Sequence, residues 1–450
     1  MRSVLLGLCL YAGLFWTPMG VGAQDLSFPQ VLELAEERSE ILMLQESAVK
    51  SAGLAVAEAR SNLGPELTFE AVGGYMAHPP LSITVQPGEI SESPPIPATP
   101  LTFPEDEPSG YFELSLQLSQ PLYTWGKLKR SVQLAGLGLE TSKAEFTERK
   151  RQMHQDLHTA YFSGVLAGDS LGPLQQILDI LGEIEEDRKR AFELGTLNRL
   201  SVLEIQAQIS EMKRRIVQAE QAYATALETI AVYTGLDPEN LELSSGFRSE
   251  HPGISETELK ESALESSPSL KKARLNREEA RANLKLIRGE ANFRPDLSIN
   301  LSFELSGQTI PLSEPRWADA WDLNLSAGVG TQGSLFDAGR SGHKIRQAEE
   351  ALSASQLAID LLRKQIRLQT RQAVEVLELR WAELQETGAA VAQAEEEEKN
   401  AGRAFEQELL IREQWGMARI ALLLKRLELS QREYSFELAL YELESLVGFP

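Results

Sequence analysis

Residues 328–340 read GVGTQGSLFDAGR, and the fold depends on whether these glycines cradle a phosphate or end a strand. Gly328-x-Gly330-x-x-Gly333 fits the dinucleotide-binding fingerprint letter for letter. That fingerprint needs a buried apolar strand before it and a helix starting at the last glycine. Here the preceding residues alternate: Trp321, Leu323, Leu325, Ala327 and Val329 fall on one side, Asp322, Asn324, Ser326 and Gly328 on the other. Gly333 leads into SLFDAGR, and helical periodicity begins only near Arg340. We therefore read the stretch as the foot of an amphipathic strand, with Gly339 permitting a sharp turn into a helix.

The same passage occurs twice. In QPLYTWGKLKR (120–130), Leu122-Tyr123-x-x-Gly126-Lys127 matches Leu335-Phe336-x-x-Gly339-Arg340 at an offset of 213. The offset persists at Gln152/Gln365, Ala160/Ala373, Ala191-Phe192-Glu193/Ala404-Phe405-Glu406 and Gly235/Gly448. Such constancy marks a tandem duplication. The first copy has LSQPLY where the second has its glycines, so a phosphate cradle would exist in one copy only. Upstream, RSNLGPELTFE (60–70) resembles ANFRPDLSINLSFE (291–304) at an offset of 230. The extra 17 residues fall between about 77 and 110, in a segment dense in Pro and acidic residues that reads as an exposed loop.

Four runs alternate with period two: 67–75, 112–119, 297–306 and 321–329. Each is about 9–11 residues long, the length of a tilted strand that crosses a bilayer. A soluble half-buried sheet shows the same alternation. No second sheet is predicted to cover the apolar face. Four strands cannot close a barrel, and unpaired edges are not tolerated in lipid. If the strands span a membrane, several copies must share one barrel.

After Gly339 a helical pattern runs to about residue 407. Ile345, Ala348, Leu352, Ser355, Ile359, Leu362, Ile366, Gln369, Ala373 and Val376 step by three and four, a heptad seam. A second seam, Ala351, Ala354, Ala358, Leu361, Gln365 and Leu368, lies beside it. Two adjacent stripes predict a stave with a neighbour on each side. At 1.5 Å per residue, about 65 residues reach ~100 Å. The first copy repeats the seam at Val132, Ala135, Leu139, Ser142, Phe146, Met153 and Ala160, interrupted by Arg149 and Asp156. Gly168, Gly172 and Pro173 predict a break or kink there. The acidic run Glu395–Glu398 reads as a solvated face.

At the N-terminus, Arg2 precedes an uncharged apolar run from Val4 to Trp16, and Val21-x-Ala23 offers a cleavage point before Gln24. This predicts a secretory signal. Cys9, the single cysteine, would leave with it. Beyond it no run of 18 uncharged apolar residues follows, so any membrane crossing must use strands. The formal charge of −22 provides no basic field for nucleic acid or anionic headgroups. It fits a water-filled lumen that disfavours anions, and equally ordinary solubility.

QPLYTWGK and GSLFDAGR resemble the strand-to-helix junction of the outer-membrane efflux proteins, the TolC family. RSNLGPEL and GEANFRPDL resemble the approach to the first strand of each half. FELGTLNRLSVLEIQAQ (192–208) is similar to that family's helix–turn–helix tip, and the copies close on YTGL and LVGF. The resemblance covers about residues 26–449. It implies a mainly α fold with a small β part: long antiparallel helical hairpins forming an α-barrel, and four amphipathic strands contributing to a shared transmembrane β-barrel. The organisation it implies begins with a signal peptide at 1–23 and periplasmic helices of repeat 1 at 24–65. Two barrel strands with a long external loop (77–110) follow at 66–126, then a helical hairpin at 127–234 and an equatorial linker at 235–257. Repeat 2 has helices at 258–295, strands at 296–339 and a hairpin at 340–450.

The resemblance further implies a homotrimer with a twelve-stranded barrel in outer-membrane lipid and a large periplasmic extension. Its role would be the passive exit duct of a tripartite efflux or type I secretion system. Its partners would be a periplasmic adaptor (membrane fusion) protein and an inner-membrane pump or secretion ATPase, with no nucleic acid and no cofactor. A soluble periplasmic coiled-coil scaffold is the competing class, and an enzyme fails for want of a coherent site.

Gly126 and Gly339 mark the strand-to-helix junctions. Gly195 and Glu204 fit the family's tip pattern in the first copy, whereas the second has Glu408 and Met417 there. Arg199 and Arg412 coincide across the copies. By position Arg199, Glu204, Arg412 and Glu413 are candidate gate or adaptor-contact groups, and ordinary surface charge is the alternative. His154 and His158 stand four apart, a spacing that can chelate zinc, but Gln155 occupies the place of a protease's Glu. They read as two exposed helix histidines, with no metal site.

Overall fold

The structure, a computed structural model, describes residues 24–76, 83–97, 99–103, 109–244, 246–248, 250–253, 255–291, 295–307, 321–332 and 336–448. The expected signal segment 1–23, parts of the Pro-rich segment and Gly333 lie outside the described residues. In chain order the elements are β1 (Gln24–Leu26), α1 (Phe28–Arg38), α2 (Glu40–Ser61), β2 (Glu66–Met76), β3 (Ile83–Val85), β4 (Ser91–Glu92), β5 (Pro95–Ile96), β6 (Leu101–Phe103) and β7 (Ser109–Tyr123). Then come α3 (Lys127–Glu193), α4 (Arg199–Thr234), β8 (Leu241–Leu243), α5 (Glu256–Ser266), α6 (Pro268–Ala291), β9 (Asp296–Gly307), β10 (Trp321–Gln332), α7 (Arg340–Glu406) and α8 (Arg412–Val447). The chain is mainly helical, with one four-stranded antiparallel sheet, and divides into two compact units.

One unit comprises Val49–Ser142 and Ala273–Leu357 and holds the sheet, in the order β10–β9–β7–β2. The period-two pattern dictates its register. Phe69, Leu116, Phe303 and Leu325 stand opposite one another across all four strands, as do Leu67, Leu118, Leu301 and Ala327. On the other face Thr68, Gln117, Ser302 and Ser326 form an equivalent polar row, in which the Ser302 and Ser326 hydroxyls are 2.6 Å apart. A slip of one residue would mix the two faces, so this register is strongly specified. The apolar face is exposed at its outer strands, where Phe69 is 65% exposed and Leu325 76%, and partly buried at Leu116, Leu118 and Phe303 of the inner strands. Pro121 lacks an N–H to pair, and it lies in β7 beyond the last residue that β2 contacts, Ser119. The insert between β2 and β7 is not wholly irregular, because β3 pairs with β6 and β4 with β5.

The other unit comprises Met1–Ala48, Lys143–Lys272 and Ala358–Pro450. Its packing joins the two repeats. Ile177, Ile180 and Ile184 of α3 pack with Ile205 and Met212 of α4 and with Ile420 and Leu423 of α8. Leu377 and Leu384 of α7 pack with Phe436, Leu440 and Leu443 of α8. The linker begins with a single 3-10 turn, Pro238–Asn240, and then β8 pairs in parallel with β1. Tyr161 fastens this pair, its hydroxyl lying 2.9 Å from the carbonyls of both Leu26 and Ser244.

The helices depart from the sequence expectations in two respects. The heptad seam holds through Ile366, and beyond it one of its two rows shifts by one residue: Ala373 stays buried as expected, but Thr370 and Leu377 are buried in place of Gln369 and Val376, which are exposed. A step of four followed by another four realigns the stripe, because 3.6 residues per turn drifts away from a strict 3.5 repeat. Thr370 tolerates burial because its hydroxyl donates to the Ile366 carbonyl at 2.8 Å. The second seam, from Ala351 to Leu368, is exposed throughout. Gly168, Gly172 and Pro173 do not break the helix, and α3 runs continuously from Lys127 to Glu193. Pro173 removes one amide donor. Leu174 and Ile177 just beyond it are buried, and that packing carries the helix through.

Candidate functional site

The duplication is visible in the backbone itself. Trp125 and Gly126 have φ of 53° and 78°, while Ala338 and Gly339 have 56° and 83°. Each strand-to-helix junction thus uses two successive left-handed residues, only the second of them glycine. In the second copy Asp337 secures the turn by accepting from the Gly339 and Ser341 amides at 3.0 and 2.9 Å. In the first, Trp125 Nε1 donates to the Pro295 carbonyl at 3.0 Å, and Lys127 pairs with Asp296 at 3.0 Å.

The hairpin tips repeat the correspondence with a chemical difference. Gly195 has φ of 76°, and Glu408, its counterpart, keeps a left-handed φ of 58°. The missing glycine therefore leaves the turn in place and adds strain of about 1–2 kcal/mol. In the first tip Asn198 caps α4 by accepting from the Ser201 amide at 3.0 Å. In the second, Ile411 cannot accept, and Gln414 reaches back to the Ile411 amide at 3.2 Å instead.

Arg199 and Arg412 are the first residues of α4 and α8. A cation at that end opposes the helix dipole by about 0.3–1 kcal/mol, so helix stability does not explain either arginine. Arg199, Glu204, Glu408 and Arg412 are exposed, with no side-chain partner among the described residues. Glu413 differs. Arg188 of α3 donates to it at 2.6 Å and to the Ser201 carbonyl at 2.8 Å. One guanidinium thus joins both tips. Nearby, Gly416 lies so close to α3 that an added Cβ would meet Ile180 at 3.1 Å. Arg188 and Gly416 had no marker in the sequence, since neither keeps its character in the other copy.

The histidine expectation is corrected. His158 is not exposed: it and Glu437 are each only 1% exposed, and His158 Nε2 lies 3.1 Å from Glu437 Oε1. Tyr441 stacks on the imidazole at 3.7 Å, with Phe28 edge-on at 5.1 Å. Arg248, from the linker, clasps Glu437 through Nε and Nη2, at 2.8 Å at the closest, and reaches Glu444 at 2.7 Å. Burial alone would raise the Glu437 carboxyl, but His158 and Arg248 overcome it and hold it down to about 2. Burial pushes His158 below its ordinary range despite the neighbouring carboxylate. His154 instead sits 2.8 Å from Glu36, which also pairs with Lys150 at 2.6 Å. Among the described residues no group of three or more potential ligands could hold a metal. The acidic run is partnered individually: Glu395 by Arg426, Glu396 by Lys399, Glu397 by Gln393 and Glu398 by the Trp415 indole.

Known proteins share this architecture. The fold is similar to that of the Campylobacter jejuni CmeC outer membrane channel, with TM-score 0.71, 14% identity, and coverage of 100% of this chain and 94% of that one. The open-state Neisseria gonorrhoeae MtrE outer membrane channel gives TM-score 0.70 and 15% identity over 96% of this chain and 93% of its own. The Vibrio cholerae outer membrane protein VceC gives 0.68 and 18% over 94% and 97%. A sequence comparison with curated proteins returned no significant match. The family model described as outer membrane efflux protein matches residues 31–236 and 259–449, one stretch for each repeat. The chain belongs to the outer membrane efflux protein family.

Proposed function

We propose that three copies assemble into a single outer-membrane channel, the passive exit duct of a tripartite efflux or type I secretion system. What supports this most is the sheet. Apolar rows cross all four strands on one face, lie exposed on the outer strands, and end at two edges, β2 and β10, that pair with no further strand among the described residues. Lipid tolerates the apolar face but not open edges. The outer strands β2 and β10 run antiparallel to each other, so copies joined edge to edge continue one antiparallel sheet and close it. Three copies give twelve strands. The exposed second seam of α7, including Leu361 and Leu368, offers each copy's long helices a stripe for the next copy. A soluble scaffold has no use for such an outer belt.

In this proposal the helices form a periplasmic tunnel narrowed at the tips. Arg199, Glu204, Arg412 and Glu413 are gate or contact groups there. Exposed Leu194, Leu200, Leu409 and Ile411 provide apolar contacts for a periplasmic adaptor, which couples the duct to an inner-membrane pump or secretion ATPase. Membrane fractionation tests the assembly and planar-bilayer recording the pore. The expected results are a heat-modifiable, trimer-sized outer-membrane band and a steady conductance that is small at rest. A soluble monomer without conductance would refute it.

A further inference from the structure

We propose that the cavity beside the buried His158–Glu437–Arg248 network binds a small organic cation with an apolar body, one per chain. The cavity, of about 690 Å³, lies within a single unit, between α1, α3, the linker and α8. It shares no lining residue with the hairpin tips.

The charges lining it select the sign of the ligand. Glu33, Glu36, Glu437 and Glu444 line the space, against Arg248 as the one lysine or arginine lining it among the described residues. Arg248 is committed, wrapped around Glu437 and bonded to Glu444 Oε1. Glu36 is answered by Lys150 and His154. Glu33 is exposed and has no partner among the described residues. The residual field is negative, so anions are repelled and a cation is drawn in.

The walls select its body. Phe28, Tyr161, Phe162 and Tyr441 present aromatic surface, which suits an apolar body and favours an adjacent ammonium by cation–π attraction. His158, which lines the space, also keeps one polar atom without a partner. His158 is buried and its Nδ1 has no partner among the described residues. With Nε2 bearing the proton toward Glu437 and burial keeping the ring neutral, Nδ1 is an acceptor awaiting a donor. An ammonium N–H is such a donor, whereas a bare metal ion finds no three-ligand cluster here.

The duplicate positions do not carry this chemistry. Those of His158, Glu437 and Glu444 in the other copy are Arg371, Ala224 and Ala231, which cannot build the same cavity lining.

The test is isothermal titration of the full-length, detergent-purified protein with phenethylammonium chloride, 2-phenylethanol and phenylacetate. The amine should bind saturably at one site per chain, with the alcohol about tenfold weaker or more and the carboxylate silent. Glu33→Gln, an exposed change outside the ion network, should weaken the amine about fivefold with an unchanged oligomer band. No saturable amine binding, equal binding of amine and alcohol, or unchanged affinity in Glu33→Gln would each overturn the proposal.

Discussion

Arg188 of the first long helix donates to Glu413 of the last at 2.6 Å, and its second Nη donates to the Ser201 carbonyl at 2.8 Å. One half-buried guanidinium therefore holds the first tip, in which Ser201 lies in the first turn of α4, to the second, in which Glu413 lies in the first turn of α8. The link joins the two repeats of one chain where the duct is proposed to narrow.

Arg188→Ala should therefore loosen the closed end and raise resting conductance severalfold in planar bilayers. The charge-swapped pair Arg188→Glu with Glu413→Arg should restore part of the wild-type level. Charged hydrogen bonds of this kind contribute about 1.5–3 kcal/mol, reduced by partial exposure. Arg199→Ala and Arg412→Ala should also raise conductance if neighbouring copies hold the gate through them. No change in either would return both arginines to ordinary surface charge.

The two tip turns predict opposite responses to similar substitutions. Gly195→Ala places a side chain at φ of 76° and should destabilise by about 1 kcal/mol. Glu408→Gly relieves the same strain in the second tip and should leave the melting temperature unchanged or slightly raised. Thermal melting of the purified assembly measures both.

Glu437 should make stability depend on pH. Its carboxyl is held at about 2 in the folded chain against an ordinary value of 4.5. A depressed carboxylate contributes fully above its unfolded value, and the contribution fades as pH falls from about 4.5 to 2. The shift corresponds to about 3 kcal/mol. Melting temperature should drop across that window in the wild type, with a shallower slope in Glu437→Gln. Glu437→Ala, which leaves Arg248 and His158 without their shared partner, should lose about 3–5 kcal/mol at neutral pH.

The sheet faces should differ in what they accept. Leu325→Arg puts a charge on the proposed lipid-facing side, at a cost of about 2–4 kcal/mol near the bilayer centre, and should reduce the trimer-sized band in outer-membrane fractions. Asn324→Arg, one residue away on the polar side, should assemble like the wild type. Equal behaviour of the two variants would refute a membrane position for this sheet.

Periodicity and repetition determined the architecture directly. Alternation over 67–75, 112–119, 297–306 and 321–329 specified both the strands and their faces, because a side-chain period of two is a local property of extended chain. The 213-residue offset specified the duplication, down to paired left-handed residues at Gly126 and Gly339. It also placed Arg199 and Arg412 at equivalent helix starts. What the amino-acid order could not supply was partnership between distant segments. His154 and His158 looked alike, four apart on one helix, yet only His158 is sealed, where Glu437 from 279 residues away, itself held by Arg248 of the linker, meets it under the ring of Tyr441. Arg188 gained its importance from Glu413, 225 residues on. The step of four that replaces Gln369 with Thr370 in the buried stripe was likewise decided by the neighbours the helix meets. Local pattern is written into the backbone's own geometry, while burial and ion pairing are settled by whichever remote side chains the fold brings together.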